Sequence, residues 1–241
     1  MKVRFIMKRV LIAEDESAIR EIIGITLRRA GYEVTEACDG QQALDLYSEK
    51  NGEFDVVLLD IMMPNVDGLE VCKRLRSVSG TVGIIMLTAK TQEMDKVSGL
   101  LMGADDYITK PFNPIEVIAR VKSQLRRYMR FGGNNDSAEK SSVLRNGGLE
   151  LDDSSKTFFR DGEQINLTPT EMQLLKFFME NLDKVFSPKE IYRKVWGDDP
   201  LGAENTVTVH IRHLREKIEI NPARPDYLKV IWGHGYKMEK K

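Results

Sequence analysis

Four short apolar runs each stop on a residue that can do chemistry. VLIA (10–13) is followed by Glu14 and Asp15, VVLL (56–59) by Asp60, GIIML (83–87) by Thr88, and DYIT (106–109) by Lys110. Taken singly, each carboxylate is as well explained as a loop residue or a helix N-cap. Taken together, they define a site if the runs are neighbouring parallel strands, because ligands of such sheets bind beyond the carboxyl ends of the strands. Glu14, Asp15 and Asp60 would then repel one another, and a hard divalent cation with oxygen ligands, most simply Mg²⁺, resolves that repulsion. Asp15 and Asp60 are the expected direct ligands, Glu14 acts through a water, and the main-chain carbonyl of Met62 supplies another oxygen. Carboxylates, Mg²⁺, a lysine and a hydroxyl are what phosphoryl transfer to a carboxylate requires. Asp60 is the expected nucleophile, with Lys110 and Thr88 set against the phosphoryl oxygens.

These residues need a sheet to hold them. Between Arg9 and about Met129, apolar runs alternate with amphipathic stretches: strands at 10–13, 32–37, 56–60, 83–89 and 106–109, and helices at 18–29, 41–50, 69–76, 92–102 and 113–129. Five strands alternating with five helices predict a doubly wound α/β sandwich with strand order 2-1-3-4-5, in which the first and third strands are neighbours. Residues 1–129 are thus one domain, and Met1 to Ile6 read as an extension before the first strand, with Met7 an alternative start. The Gly-, Asn- and Ser-rich stretch 130–143 reads as a flexible linker with a reach of roughly 20 Å.

From 144 to 241 the pattern changes to short strands with turns at Asn146-Gly147, Asp152-Asp153 and Asp161-Gly162. Thr168-Pro169-x-Glu171 and Ser187-Pro188-x-Glu190 are capping boxes that open two helices. A third helix starts at Asn205 or Thr206, and YLKVIWGHGYKM (227–238) forms a closing hairpin. Strands, three helices and a hairpin make an α+β winged helix-turn-helix domain. In its third helix, Val207, Ile211, Leu214 and Ile218 form one apolar stripe. Thr208, Arg212 and Arg215 lie opposite, flanked by His210, His213 and Lys217. Such a face either is simply solvated or enters a DNA major groove.

Bulk charge decides nothing about partners. The net charge is −1, and residues 1–143 carry 20 basic against 21 acidic groups, residues 144–241 16 against 16. No run approaches the ~18 apolar residues of a membrane span, and the basic start is a poor signal peptide. A cytoplasmic protein is expected, with its two cysteines, Cys38 and Cys72, as core thiols.

AEDE (13–16), LLDIMMPNVDG (58–68), MLTAK (86–90) and GADDYITKPFNPIEVIARVKSQLRR (103–127) resemble the receiver domain of two-component response regulators. LTPTEMQLLKFF, VTVHIRHLREKIE and VIWGHGYK are similar to the effector domain of the OmpR/PhoB-type branch. DKVSGLLMGADDYITKPF, NTVTVHIRHLREKIE and the WGHGY end are similar to vancomycin-resistance-type regulators. The resemblance implies that a sensor histidine kinase phosphorylates Asp60, that Thr88 moves toward the phosphoryl group, that Tyr107 turns inward behind it, and that the Lys110-Pro111 bond is cis. It implies a homodimer in the phosphorylated state, with Lys96 pairing Glu116 and Asp106 pairing Arg120 across a two-fold axis, and with Asp105 and Arg127 on the same face. It implies promoter DNA with repeated half-sites, backbone contacts from His234 or Lys237 where the family often has Arg in place of Trp232, and RNA polymerase at the loop 197–205.

An enzyme and a nucleotide-binding switch are the competing classes. A haloacid-dehalogenase-type phosphatase also forms an aspartyl phosphate, but its DxDxT pattern is missing, since Asp60 is followed by IMMPN. A nucleotide switch would need GxxxxGK[ST] or GxGxxG, and neither occurs. The protein is therefore expected to be a regulator and not an enzyme, beyond weak autophosphatase hydrolysis of its own acyl phosphate.

Overall fold

A computed structural model of the chain describes residues 7–79, 82–89, 103–132, 143–197 and 204–241. The expected helix at 92–102, Lys96 with it, and the body of the expected linker lie outside these residues, as does most of the loop 197–205. The chain divides into two compact units, Met1–Tyr128 and Met129–Lys241.

The first unit is a five-stranded parallel sheet in the order β2-β1-β3-β4-β5. Its strands are β1 (Arg9–Ala13), β2 (Glu33–Ala37), β3 (Val56–Asp60), β4 (Gly83–Ala89) and β5 (Asp106–Lys110). Its helices are α1 (Ser17–Arg29), α2 (Gly40–Glu49), α3 (Gly68–Val78) and α4 (Pro114–Gly132). A strand covered on both faces reads as continuously apolar, and in β3 every residue is buried. Alternate side chains then serve opposite layers: Val10, Ile12, Val56, Leu58, Ile85, Leu87 and Ile108 join Ile23 and Leu27 of α1 and Val117 and Val121 of α4 in one core. The neighbours of β1 are β2 and β3, with Ala13 opposite both Ala37 and Leu59, so Glu14 emerges beside the end of β3.

The second unit opens with an antiparallel sheet of β6 (Val143–Asn146), β7 (Leu149–Asp152), β8 (Thr157–Arg160) and β9 (Glu163–Gln164). Three helices follow: α5 (Pro169–Met179), α6 (Pro188–Val195) and α7 (Glu204–Ile218). Thr168 and Ser187 cap α5 and α6 through complete capping boxes with Glu171 and Glu190. The hairpin of β11 (Leu228–Ile231) and β12 (Gly235–Met238) gains a third strand, β10 (Val185–Phe186), paired to β12. The stripe Val207, Ile211, Leu214 and Ile218 is buried in the core of this unit beside Trp196, Phe178 and Leu228.

Three boundary and burial expectations change. The first linker residues, 130–132, are helical because α4 runs on to Gly132, and the last, Val143, already belongs to β6. Cys72 is buried, but Cys38 is exposed, because it stands just past the end of β2. Among the described residues, no helix is long and apolar enough to cross a membrane.

Candidate functional site

At the carboxyl edge of the sheet, Glu14, Asp15 and Asp60 each bring a carboxylate oxygen to within 4.8 Å of the others. Glu14 is fully buried, Asp60 nearly so, and Asp15 is exposed. The end of β5 carries Lys110 into this cluster. Its Nζ donates to Glu14 Oε1 and to Asp60 Oδ2, both at 2.9 Å. Glu14 Oε2 is 2.7 Å from the same ammonium but has no hydrogen-bond partner. Lys110 precedes a cis bond to Pro111, as expected. After Asp60 the chain folds back on the strand end: Gly68 N–H donates to the Ile61 carbonyl at 3.0 Å. A Cβ on Gly68 would lie 2.1 Å from the Asp60 carbonyl oxygen, so only glycine lets α3 begin there.

Electrostatics follow from burial. Desolvation pushes the Glu14 carboxyl up to about 7; the Lys110 hydrogen bond opposes this and the Asp60 charge adds to it. Burial also lowers the Lys110 ammonium, but its bonds to Glu14 and Asp60 outweigh that and hold it above its ordinary value. Three converging carboxylates, two of them buried and sharing a single lysine, fit a hard divalent cation such as Mg²⁺. Thr88 and Tyr107 are both buried: the Thr88 hydroxyl donates to the Ala89 carbonyl at 3.3 Å, and Tyr107 already faces inward. The Met62 side chain is exposed beside Asp60.

The expected dimer residues are placed differently. Asp105 is fully buried and accepts from Ile84 N–H at 2.9 Å and Arg76 Nη2 at 2.7 Å. It fastens α3 to the sheet. Asp106 and Arg120 are paired at 3.1 Å within one chain, and Glu116 lies 3.7 Å from Arg120 one turn earlier in α4. The pair assigned to a two-fold axis is satisfied internally, with Arg120 of α4 and Asp106 of β5 both buried. Arg127 falls in α4, its side chain outside the described residues.

On α7, Thr208 and Arg212 are exposed on the face opposite the apolar stripe. Arg212 is joined there by Glu216, 3.2 Å away. Arg215 is turned aside: its Nε donates to the Leu228 carbonyl at 2.8 Å, and its guanidinium lies 6.0 Å from the Tyr236 ring centre. Lys217 donates to Glu171 at 2.5 Å and to the Asn166 carbonyl at 3.0 Å. His210 and His213 are buried, not solvent-facing, His210 packing 5.3 Å from the Trp196 ring. Residues 206, 210, 213 and 217 form a second stripe beside the apolar one, and a neutral imidazole is apolar enough to be packed there. On the hairpin, His234 is exposed and Lys237 is tied to Glu239 at 3.3 Å.

The same two units recur in known proteins. Residues 10–122 match the response regulator receiver domain, and residues 162–238 match the family described as transcriptional regulatory protein, C terminal. The regulatory protein VanR of Enterococcus faecium is 42% identical over 96% of this chain and 99% of its own. The chain is a two-component response regulator of the OmpR/PhoB type. The alkaline phosphatase synthesis transcriptional regulatory protein PhoP of Bacillus subtilis is 41% identical, with 97% of both chains covered. These near-equal identities do not single out the vancomycin-resistance branch. A solved structure of a RitR mutant superposes with a TM-score of 0.72 at 24% identity, covering 97% of this chain and all of that one, which supports the fold alone. The response regulator couples its receiver to a DNA-binding effector unit and regulates transcription. The phosphatase reading finds no support among these relatives.

Two outcomes are expected. A cation binds beside ionised Glu14 more readily than beside protonated Glu14, and burial holds this carboxyl well above its ordinary value, so Mg²⁺ affinity should fall as pH drops from 8 to 6. Calorimetric titration of wild type and Glu14→Gln checks this; a wild-type affinity that ignores pH removes Glu14 from the site. In the effector unit, burial lowers the His213 value below the ordinary 6.5, with Glu171 and Glu216 favouring the cation and Lys217 and Arg212 opposing it. The unfolded chain therefore takes up the proton first. Stability from this group is complete above about pH 6.5 and is lost as pH falls toward the lower folded-state value. Melting followed from pH 7.5 to 5.5 should show a smaller loss in His213→Leu than in wild type.

Proposed function

We propose that Asp60 is the phosphoacceptor of this response regulator and that its phosphorylation by a sensor histidine kinase controls DNA binding. The observation that carries this is Lys110 Nζ donating to both Glu14 and Asp60 in a pocket of three carboxylates. An Asp60 oxygen forms a new O–P bond while the P–N bond of the kinase's phosphohistidine breaks, the electron pair returning to the imidazole. Mg²⁺, held by Asp15, Asp60 and the Met62 carbonyl with Glu14 through water, would supply positive charge to the phosphoryl oxygens. Lys110 is free to turn from Asp60 to a phosphoryl oxygen without losing Glu14. Thr88 reaches the same group by releasing the Ala89 carbonyl, and its movement leaves room behind which Tyr107 stays inward. Water attack on the acyl phosphate returns Asp60, so the signal decays by a weak autophosphatase reaction.

Phosphorylation favours a homodimer that binds repeated half-sites in promoter DNA. Symmetry doubles every contact of a small interface, and Lys96 with Glu116 are the residues we assign to it. Arg120 and Asp106 act from inside each chain by holding the end of α4 to β5. Thr208 and Arg212 of α7 enter the major groove, His234 and Lys237 approach the backbone, and the loop 197–205 meets RNA polymerase. The protein works in the cytoplasm, where kinase and DNA are both in reach.

The test is a selection of duplexes from a randomised pool, with sedimentation of the same samples. Full chain treated with a small acyl-phosphate donor and Mg²⁺ should dimerise and enrich a repeated sequence. Asp60→Ala should remain monomeric and bind that sequence at least tenfold more weakly. Equal dimerisation and equal affinity of the two chains would overturn the assignment of Asp60.

A further inference from the structure

The hairpin of β11 and β12 ends in an indole that nothing in its unit covers. Trp232 is 89% exposed, more than any other large apolar side chain among the described residues. Its position is not that of a loose loop. His234 N–H donates to the Ile231 carbonyl at 2.9 Å, and His234 Nδ1 lies 2.9 Å from the Trp232 carbonyl, closing the turn twice. Gly233 and Gly235 take φ values of +74° and +132°. A Cβ on Gly235 would lie 2.0 Å from the Phe186 carbonyl oxygen, so the base of the turn is pressed against β10. The turn is built to present residue 232 outward.

The hairpin is also fixed to the reading helix. Tyr236 of β12 donates to Thr208 Oγ1 at 3.3 Å, and Arg215 of α7 donates to the Leu228 carbonyl of β11. Both strands of the wing are therefore anchored to α7, one of them to a residue of its exposed face. On the two strands of the wing, Lys229 and Lys237 stand opposite each other and share Glu239, so the hairpin keeps a net positive charge. Such a surface repels a basic partner and suits a polyanion, while the residue at its tip carries no charge.

We propose that Trp232 is an apolar wedge that packs its indole into the minor groove flanking the sequence read by α7, and thereby selects flanks by deformability. The inference rests on the proposed placement of α7 in the major groove. A helix seated there leaves a hairpin anchored beside it facing the next groove along the duplex. Apolar side chains inserted into a minor groove unstack a base step, and pyrimidine–purine steps such as TA and CA yield most easily. A charged residue at this position would instead neutralise a phosphate or sit in a narrowed groove, giving salt-dependent binding with little demand on step flexibility. Trp232 thus sets a flank preference and a lower salt dependence than an arginine there would give.

The test uses the phosphorylated full chain and a duplex selected by it from a randomised pool, together with the same duplex carrying GC steps in the flanks. Wild type, Trp232→Ala, Trp232→Arg and Arg212→Ala are titrated over a range of salt. Trp232→Ala should bind about tenfold more weakly and should no longer distinguish the two flanks, with an unchanged salt slope. Trp232→Arg should recover affinity but steepen the slope by about 0.9, one phosphate's worth. Because Trp196 is fully buried, acrylamide quenching in wild type reports Trp232, and DNA should suppress it. Unchanged quenching, or a Trp232→Ala chain with wild-type affinity and flank preference, overturns the proposal. Loss of binding in Arg212→Ala with no effect in Trp232→Ala sinks the wedge and leaves the reading helix standing. If Arg212→Ala is also silent, or no sequence is enriched, the major-groove placement itself fails and the wedge falls with it.

Discussion

Two buried carboxylates on neighbouring strands stay ionised together only with a cation between them. In this receiver the lysine at the end of β5 is that cation, its Nζ 2.9 Å from an oxygen of Glu14 and from one of Asp60. Coulomb repulsion between carboxylates at such range grows as solvent is withdrawn, so the arrangement is tolerable only while Lys110 stays charged and in place. The strand order follows from the same requirement. Asp60 must adjoin Glu14, which sets β3 beside β1, and Lys110 must reach across β4, where Thr88 then stands between them. The close return of Gly68 onto the Asp60 carbonyl fixes the carboxylate end of the strand without putting a side chain in the pocket. What makes the site hard to assemble would also make it responsive, because a divalent cation or a phosphoryl group bound there would rearrange the same few charges.

How far this was legible in the sequence depended on the kind of signal each residue carries. Glu14, Asp15, Asp60, Thr88 and Lys110 were readable because a charged or polar residue at the end of an apolar strand run breaks a strong pattern, and it did so four times. Helix starts at Thr168-Pro169 and Ser187-Pro188 were readable for a local reason, since a capping box is complete within four residues. The strand β10 was not, because two residues have no periodicity and Val185–Phe186 becomes a strand only by pairing with Lys237 and Tyr236.

Charged and polar residues with internal partners were misplaced for a common reason. Asp105, Asp106 and Arg120 read as surface charge, since a sequence shows the charge but not the partner that makes its burial tolerable. Arg76 supplies that partner for Asp105, from 29 positions earlier. His210 and His213 were set beside the DNA face because they lie within two residues of Arg212 in sequence. Helical geometry puts them instead on the stripe shared with Thr206 and Lys217, where Trp196 and Glu171 are waiting. A turn of 100° per residue separates neighbours widely, so adjacency in sequence says little about a shared face.

The effector unit holds α7 by its sides and leaves one narrow face open. On one side Lys217 ties α7 to the capping box of α5 through Glu171, whose carboxylate also accepts from the N–H of Thr168 at the start of that helix. On the other, Arg215 and Thr208 join it to the two strands of the wing. At its end Glu219 accepts from the N–H groups of Asp226, Tyr227 and Leu228, fastening the chain that leads from α7 into β11. Helix, capping box and hairpin therefore move as one body, and basic residues that seemed available for DNA are the fasteners. Of the described cationic side chains of the helix, Arg212 alone is exposed, and it is itself paired with Glu216. If α7 enters the major groove as proposed, so few direct contacts would leave much of the discrimination between sites to shape and deformability, which a body can sense only if its protruding parts are held as firmly as the helix.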